Sequence, residues 1–434
     1  MKTEIRPEKE MKDSGIEYVG EIPKDWDLER LRVYFCERKN KNREGNEDNL
    51  LSLSYGRIIR KNIDKTDGLL PASFNTYNIV EKNDIIIRPT DLQNDKRSLR
   101  TGLVTEHGII TSAYIDLMPI GTVDSKFFHY LLHSYDILKV FYNMGSGVRQ
   151  GLNYSEFSKL KVPIPPLSEQ QAIAGYLDEV CFKIGEIIAE VKASIEEYKE
   201  LKQAVIFEAV TKGIENNVEM KDSGNLAIGK IPKHWVKARV KNVATRITVG
   251  VVVTPANYFD DTGTVAFLRG INVKEYVINS EPMMYITKET NTELSKTIVH
   301  TNDLVIVRDG AIGVTAVVPK KYDGANVVSM IIVSLGSEYN HDYLCYVLNS
   351  YVGKIQFNLT KIGSALSHTS VSSVSNIEIP KPSISEQIDI VNYLKGQHKK
   401  LDSLIAEKES LINDLEAYKK SLIYELVTGK RRVV

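Results

Sequence analysis

The chain carries most of itself twice. Residues 11–26 read MKDSGIEYVGEIPKDW and residues 220–235 read MKDSGNLAIGKIPKHW, identical at ten of sixteen positions and ending on Trp26 and Trp235, the only two tryptophans. Downstream, residues 163–177 (PIPPLSEQQAIAGYL) pair with residues 380–394 (PKPSISEQIDIVNYL). Ser-Glu-Gln recurs at 168–170 and 385–387, a shift of 217, and the same shift brings Val210-Thr211 onto Val427-Thr428. An order A–B–A′–B′ over nearly all of 434 residues restricts the fold to two copies of one mixed segment, each followed by one copy of a helical segment.

The A segments, roughly 20–165 and 230–380, alternate short β-branched runs with turns: Asp84–Arg88, Gly108–Thr111, Asp303–Arg308 and Val327–Val333. These read as buried strands. Phe127 to Met144 and His341 to Asn358 read as aromatic-rich helices. The B segments read as long helices. Prolines 163, 165, 166, 380 and 382 hold the approach extended. Ser168 with Gln171 matches a capping box, Ser385 is its counterpart, and Gly213 and Gly429 stand where C-terminal caps belong. A helix from 169 to 212 extends about 66 Å at most, at 1.5 Å per residue.

Within the B segments apolar residues step three and four apart. One copy gives Ile184, Ile187, Val191, Ser194, Tyr198, Leu201 and Val205. The other gives Leu401, Leu404, Lys408, Leu411, Leu415, Tyr418 and Leu422, each 217 further on. Three heptads of this kind predict a coiled-coil seam between the copies. An antiparallel pair about a pseudo-two-fold axis sets Ile184 against Leu422, Val191 against Leu415, Leu201 against Leu404 and Val205 against Leu401. It sets Tyr198 against Lys408, whose stem would cross the ring and carry its ammonium to water.

Composition sets the limits. Apolar residues make up 42% and charged residues 26% of an ordinary folded chain. Lys plus Arg and Asp plus Glu number 56 each, so any basic footprint must be local. Cys36, Cys181 and Cys345 are too scattered for a disulfide framework or a zinc ribbon and fit a reducing cytoplasm. No signal peptide and no membrane span are expected. The sequence holds no Walker-type phosphate loop, no dinucleotide fingerprint, no HExxH, no GxSxG and no Asn/Asp-Pro-Pro-aromatic loop. His129 and His133, four apart on one helix, read as packing residues, and Asp84, Asp91 and Asp95 do not read as a nuclease site. No catalytic or metal-binding residue is therefore assigned, and a binding role is favoured over catalysis.

Two diverged copies on a paired-helix spacer suit duplex DNA, where a pseudo-symmetric protein reads two half-sites at a spacing fixed by its own geometry. Residues 233–246 carry five Lys/Arg and no acid, residues 28–43 six against two, and residues 54–66 four against one. Such runs can neutralise phosphates, although a solvated face is the plain alternative. Base edges are read by Arg, Lys, Asn, Gln and small hydroxyls. The candidates of the first copy are Arg57, Lys61, Arg88, Gln93, Asn94, Lys96, Arg97, Arg100, Arg149, Gln150, Asn153 and Tyr154. Those of the second are Arg269, Asn272, Arg308, Lys361, Ser364, Ser367 and His368.

The repeated MKDSG…IPK.W opening and the Pro-Ile-Pro-Pro-Leu-Ser-Glu-Gln helix entry, each with its second copy, closely resemble the specificity subunit of type I restriction-modification enzymes over the full length. The resemblance implies an α+β fold: two similar α/β target recognition domains separated by two long helices that pair as an antiparallel coiled coil. By position, 1–19 is an N-terminal segment, 20–165 the first recognition domain and 166–213 the first helical region. A linker at 214–229, the second recognition domain at 230–380 and the second helical region at 381–434 follow. The resemblance further implies a cytoplasmic, non-catalytic subunit that reads a bipartite target on double-stranded DNA. It would dock two modification subunits, which methylate adenine, and restriction subunits that translocate and cut. S-adenosylmethionine, ATP and Mg are then expected on the partners and no cofactor on this chain. The rivals are a protein-binding scaffold and an enzyme acting alone.

Overall fold

The computed structural model describes residues 2–62, 73–92, 99–142, 144, 151–360 and 368–434. The chain divides into two compact units: Met1–Val191 with Ser410–Val434, and Lys192–Glu409. Each unit contains one A segment and part of both long helices, Leu167–Lys212 and Ile384–Val427.

Both units are built on one plan. The first has an antiparallel sheet in the order Thr101–Leu103, Ile85–Ile87, Ile115–Pro119, Phe35–Glu37. The second repeats the order with Thr315–Val317, Leu304–Val307, Met330–Leu335, Ala244–Val249. The strands Ile85–Ile87 and Leu304–Val307 are apolar at every position because both faces are covered, and alternation decides which residue serves which face. Ile85 and Ile87 pack with Phe127, Phe128, Leu131 and Leu132 of the helix Ser125–Ile137, whereas Ile86 packs with Leu51, Val80, Val104 and Ile110. Likewise Leu304 and Ile306 face Tyr343, Leu344 and Val347 of the helix His341–Asn349, and Val305 and Val307 face Leu268, Val273 and Ile278. The single helix expected from His341 to Asn358 is two, His341–Asn349 and Tyr351–Leu359. Ser350 divides them, its Oγ accepting from the Val352 amide at 3.2 Å and donating to the Val347 carbonyl at 2.7 Å.

The repeated motifs are the joints of this plan. Trp26 Nε1 donates to Glu169 at 2.9 Å, and Trp235 Nε1 donates to Glu386 at 2.9 Å. The next residue of each Ser-Glu-Gln is buried. Gln170 donates to the Pro165 carbonyl (2.9 Å) and accepts from the Asp124 amide (3.0 Å); Gln387 donates to the Pro382 carbonyl (3.0 Å) and accepts from the Asn340 amide (2.7 Å). Asp124 and Asn340 are themselves the N-caps of the helices on the sheets. Long helix, proline entry and sheet helix are thereby tied in each unit by two adjacent side chains. An ion pair close by exchanges its charges between copies: Lys126–Asp178 at 2.5 Å, Asp342–Lys395 at 2.6 Å.

The helix starts differ from expectation. The first long helix begins at Leu167 and the second at Ile384, which places Ser168 and Ser385 inside the first turn. The capping box of the second helix is Ser383 with Glu386: the Glu386 carboxylate accepts from the Ser383 amide (3.0 Å), and Ser383 Oγ accepts from the Glu386 amide (3.4 Å). At the other end Gly429 has φ 74°, and a Cβ there would lie 2.3 Å from Pro23 Cδ and 3.1 Å from the Trp26 ring, so the left-handed turn also makes room for the motif tryptophan.

The two long helices pair antiparallel. In the first unit Leu422, Ile423, Leu426 and Val427 share a core with Ile173, Ala174 and Leu177. In the second, Ile206, Ala209 and Val210 share one with Ile390, Val391 and Leu394. Lys408 Nζ lies 5.5 Å from the centre of the Tyr198 ring, the contact drawn from the heptads. The seam is corrected at alternate layers. Ile187, Leu201, Leu404, Leu411 and Tyr418 are exposed, Tyr418 by 53%, while Ile184, Val191, Val205, Leu401, Leu415 and Leu422 face inward. The inward residue is the next one along: Ile188, Ile195 and Lys202 on the first helix, Ile405, Ile412 and Lys419 on the second. Adjacent pairs such as Ile187-Ile188, Leu404-Ile405 and Leu411-Ile412 fit either register by pattern alone. The inward lysines keep their charge near solvent on apolar stems, Lys202 reaching Asp402 at 2.6 Å.

Candidate nucleic-acid interface

The candidates separate into side chains that the fold consumes and side chains that it presents. Arg100 is consumed: it is 0% exposed. Its guanidinium donates to Tyr142 Oη (2.9 Å) and to the carbonyls of Thr90 (2.5 Å) and Asp91 (2.9 Å), and its amide donates to Asp136 (2.6 Å). A buried charge needs this many partners, and none is left for a base edge. Asn272 is also 0% exposed, holding the Arg269 amide (3.0 Å) and donating to the Pro282 carbonyl (3.0 Å). Tyr154 donates its hydroxyl to the Phe35 carbonyl at 2.8 Å. Asn153 caps the short helix Tyr154–Phe157, accepting from the Glu156 amide at 3.0 Å. Arg100 and Asn272 are corrected to structural roles, Tyr154 spends its hydroxyl on a carbonyl far along the chain, and Asn153, which is exposed, spends its side-chain oxygen on a helix cap. Arg269, half-buried, donates to the Pro282 carbonyl at 3.0 Å.

The basic runs are corrected in part as well. Within 233–246, Lys233 pairs with Glu219, Lys237 and Arg239 with Glu378, and Lys241 with Asn376, while Arg246 donates to the carbonyls of Lys296 and Ile298. Acids distant in sequence thus neutralise much of that run.

Two candidate arginines fall at equivalent places in the two units. Arg88 follows the central strand Ile85–Ile87 and Arg308 follows its counterpart Leu304–Val307; both are half-buried. The Arg308 carbonyl accepts from the Thr369 amide (3.1 Å) and Asp309 bridges to His368, so Arg308 and His368, separate candidates in the sequence, are neighbours in the fold. In the first unit the hairpin Leu51–Ser54/Arg57–Arg60 turns at Tyr55 and Gly56, both with positive φ. It presents Arg57 and Lys61, both exposed and neither in an ion pair among the described residues. Sequence reasoning missed Tyr55, although Tyr-Gly between the alternating run Leu51–Ser54 and the β-branched pair Ile58-Ile59 was the available hairpin signal. Gln93, Asn94, Lys96, Arg97, Arg149, Gln150, Lys361, Ser364 and Ser367 lie outside the described residues.

Acidic residues of the first unit serve the sheet. Asp84 accepts from Arg38 at 2.8 and 3.2 Å and from the Glu81 amide at 2.8 Å. Asp116 on the next strand is buried; burial and the neighbouring Asp84 push its carboxyl up to about 8 from its ordinary 3.8. Between these values the folded state keeps a proton that the unfolded chain has released, so stability falls as pH rises through that window. Asp116→Asn is expected to flatten this slope and raise stability above pH 8, read from denaturant melts at pH 5 and pH 9; an unchanged slope would assign the pH dependence elsewhere. His129 and His133 are held neutral by burial, His129 down to about 3 and His133 to about 4. Among the described residues no group of three or more His, Cys, Asp or Glu could hold a metal ion, and no helix is long and apolar enough to cross a membrane.

Comparison with known proteins agrees with the duplicated plan. The family model described as type I restriction modification DNA specificity domain matches residues 58–197 and 232–417, more than half of the chain. The MjaVIII type I restriction enzyme specificity subunit of Methanocaldococcus jannaschii is 23% identical over 426 residues, covering 95% of this chain and 94% of that protein. The EcoBI specificity subunit of Escherichia coli is 22% identical over 321 residues, covering 71% and 66%. Two solved structures share the fold at 14% identity. A chain from a study of complex assembly and conformational transition of the type I R-M system has a TM-score of 0.73 and coverage of 94% and 99%. The HsdS subunit from Thermoanaerobacter tengcongensis has a TM-score of 0.53 and coverage of 94% and 98%. With two matched regions, one on each copy of the sheet-and-helix plan, this chain belongs to the type I restriction-modification DNA specificity subunits and carries two target recognition domains.

Proposed function

We propose that each unit reads one half of a split duplex target and that the paired long helices set the gap between the halves. The observation that carries this reading is the equivalence of Arg88 and Arg308, one at the end of each central strand, on two otherwise diverged surfaces. Arginine offers the fork that matches guanine O6 and N7, and surrounding cations such as Arg57 and Lys61 supply sequence-independent attraction to phosphates. The chain itself performs no chemistry in this reading. It docks two modification subunits, which carry S-adenosylmethionine and methylate adenine, and restriction subunits, which carry ATP and Mg, in the cytoplasm.

The test uses the complex with its modification subunits and duplexes carrying both halves, or either half scrambled. Arg88→Ala is expected to relax discrimination at one half by about 1–3 kcal/mol, and Arg308→Ala to do so at the other. Equal weakening on every duplex would reduce both arginines to phosphate contacts. Equal binding of scrambled and intact duplexes by the wild-type complex would overturn the reading.

A further inference from the structure

The first unit has an open cleft at a place that the second unit fills with its own side chain. In the second unit the hairpin Val273–Lys274/Val277–Ile278 turns at Tyr276, φ 70°. The Tyr276 ring lies 5.0 Å from Tyr346 and 5.1 Å from His398, and those two are 5.1 Å apart, so three rings close on one another. The first unit has the same parts. Its hairpin lies beside Thr101–Leu103 as the other lies beside Thr315–Val317. Tyr130 stands as far beyond its N-cap, Asp124, as Tyr346 does beyond Asn340, and Cys181 precedes His398 by 217 residues.

Here the tyrosine at the turn, Tyr55, is 90% exposed, and a cleft of ≈ 360 Å³ remains between the hairpin, the sheet helix and the long helices. Three properties of its wall narrow what it accepts. It is aromatic at the rim, with Tyr55 and with Phe182, 66% exposed. It is cationic: Arg57 and Lys419 line it without an ion pair among the described residues, while its acid, Asp178, is engaged by Lys126 (2.5 Å) and the Tyr130 hydroxyl (2.9 Å). It holds an unmet polar atom, His129 Nε2, buried without a hydrogen-bond partner. A neutral imidazole there can meet a ring nitrogen or an exocyclic amine.

We propose that this cleft takes a nucleotide, its base among the aromatic rings and its phosphate by Arg57 and Lys419. Rings and unpaired cations together are what stacking and phosphate attraction require, and the equivalent space in the second unit already accommodates a ring. The nucleotide has two possible sources, a free mononucleotide or one drawn out of a bound duplex.

Equilibrium dialysis of the full chain against AMP, with adenosine and inorganic phosphate as comparisons, tests the first source. Saturable binding of one AMP per chain is expected, about tenfold weaker for adenosine and for Arg57→Ala, because each removes a charge-assisted contact, and abolished by Cys181→Phe, which fills the cleft. Should Cys181→Phe fail to fold, the exposed Arg57 carries the test. For the second source, a duplex with 2-aminopurine placed through the target is bound by the whole complex. A fluorescence rise at one position, absent in Cys181→Phe, supports the cleft as a site for an extruded base. Only this arm rests on the proposed DNA reading; a wild-type complex that fails to bind the duplex faults that reading and leaves AMP to decide. Absence of AMP binding together with no fluorescence rise in a complex that does bind overturns the inference, as expected if Tyr55 fills the cleft as Tyr276 does. AMP binding unchanged by both substitutions also overturns it.

Discussion

Removing residues 188–194 and 405–411 together will move the preferred gap between half-sites by about three base pairs without changing either half. The two segments are equivalent under the 217-residue repeat and each is one heptad, so the remaining inward residues keep their alternation. Seven residues of helix are about 10 Å at 1.5 Å per residue, and duplex DNA rises about 3.4 Å per base pair. Affinity for the original target is expected to fall steeply, because only one half can then be engaged in register. Binding to a set of duplexes with gaps shortened one base pair at a time reads the shift. A preference that stays at the original gap would remove the helices from the role of spacer.

The second large effect is expected at the motif tryptophans. Trp26 is fully buried, lies 6.4 Å edge-to-face from Phe127 and donates to Glu169, the residue beside the Gln170 that ties the sheet helix. Trp26→Ala should cost about 3–5 kcal/mol by cavity formation alone, a large part of the roughly 5–15 kcal/mol that stabilises a typical protein. Trp26→Phe should cost less, since most of the ring contact survives and Glu169 retains Arg6. Trp235→Ala should match Trp26→Ala in the second unit, where Glu386 retains His234 at 2.8 Å. Denaturant melts of the three variants give the order. A Trp26→Ala variant as stable as wild type would mean that the repeated motif is not a joint.

The parts legible in the sequence were those that recur. The two tryptophans, 209 residues apart, follow from the repeated opening motif, and the two Ser-Glu-Gln turns and the Tyr198–Lys408 contact follow from the 217-residue shift, because a duplicated motif marks a constraint that both copies obey. The seam slipped by one residue at alternate layers because Ile187-Ile188 and Leu411-Ile412 offer apolar side chains to both registers, and packing decides between them. Within the candidate interface, Arg57 and Lys61, picked out by the basic run 54–66, are exposed as that run implies. Burial was not legible for Arg100, which Asp136 and Tyr142 enclose from far along the chain, or for Asn272, which the turn from Arg269 to Pro282 folds over. A polar residue in a loop looks the same in sequence whether it faces solvent or holds a remote carbonyl. The cleft of the first unit was equally hidden, since it arises from a difference between copies at Tyr55 and Tyr276.

The central claim is that one chain specifies two unlike half-sites at a fixed separation. Mapping methylated adenines across the genome of a host that carries the modification subunits, with and without this gene, tests it most directly. The account predicts that one split motif, with a constant gap and two unlike halves, is methylated only when the gene is present. Methylation that depends on the gene but falls on one continuous motif, or on halves with no constant gap, would contradict it.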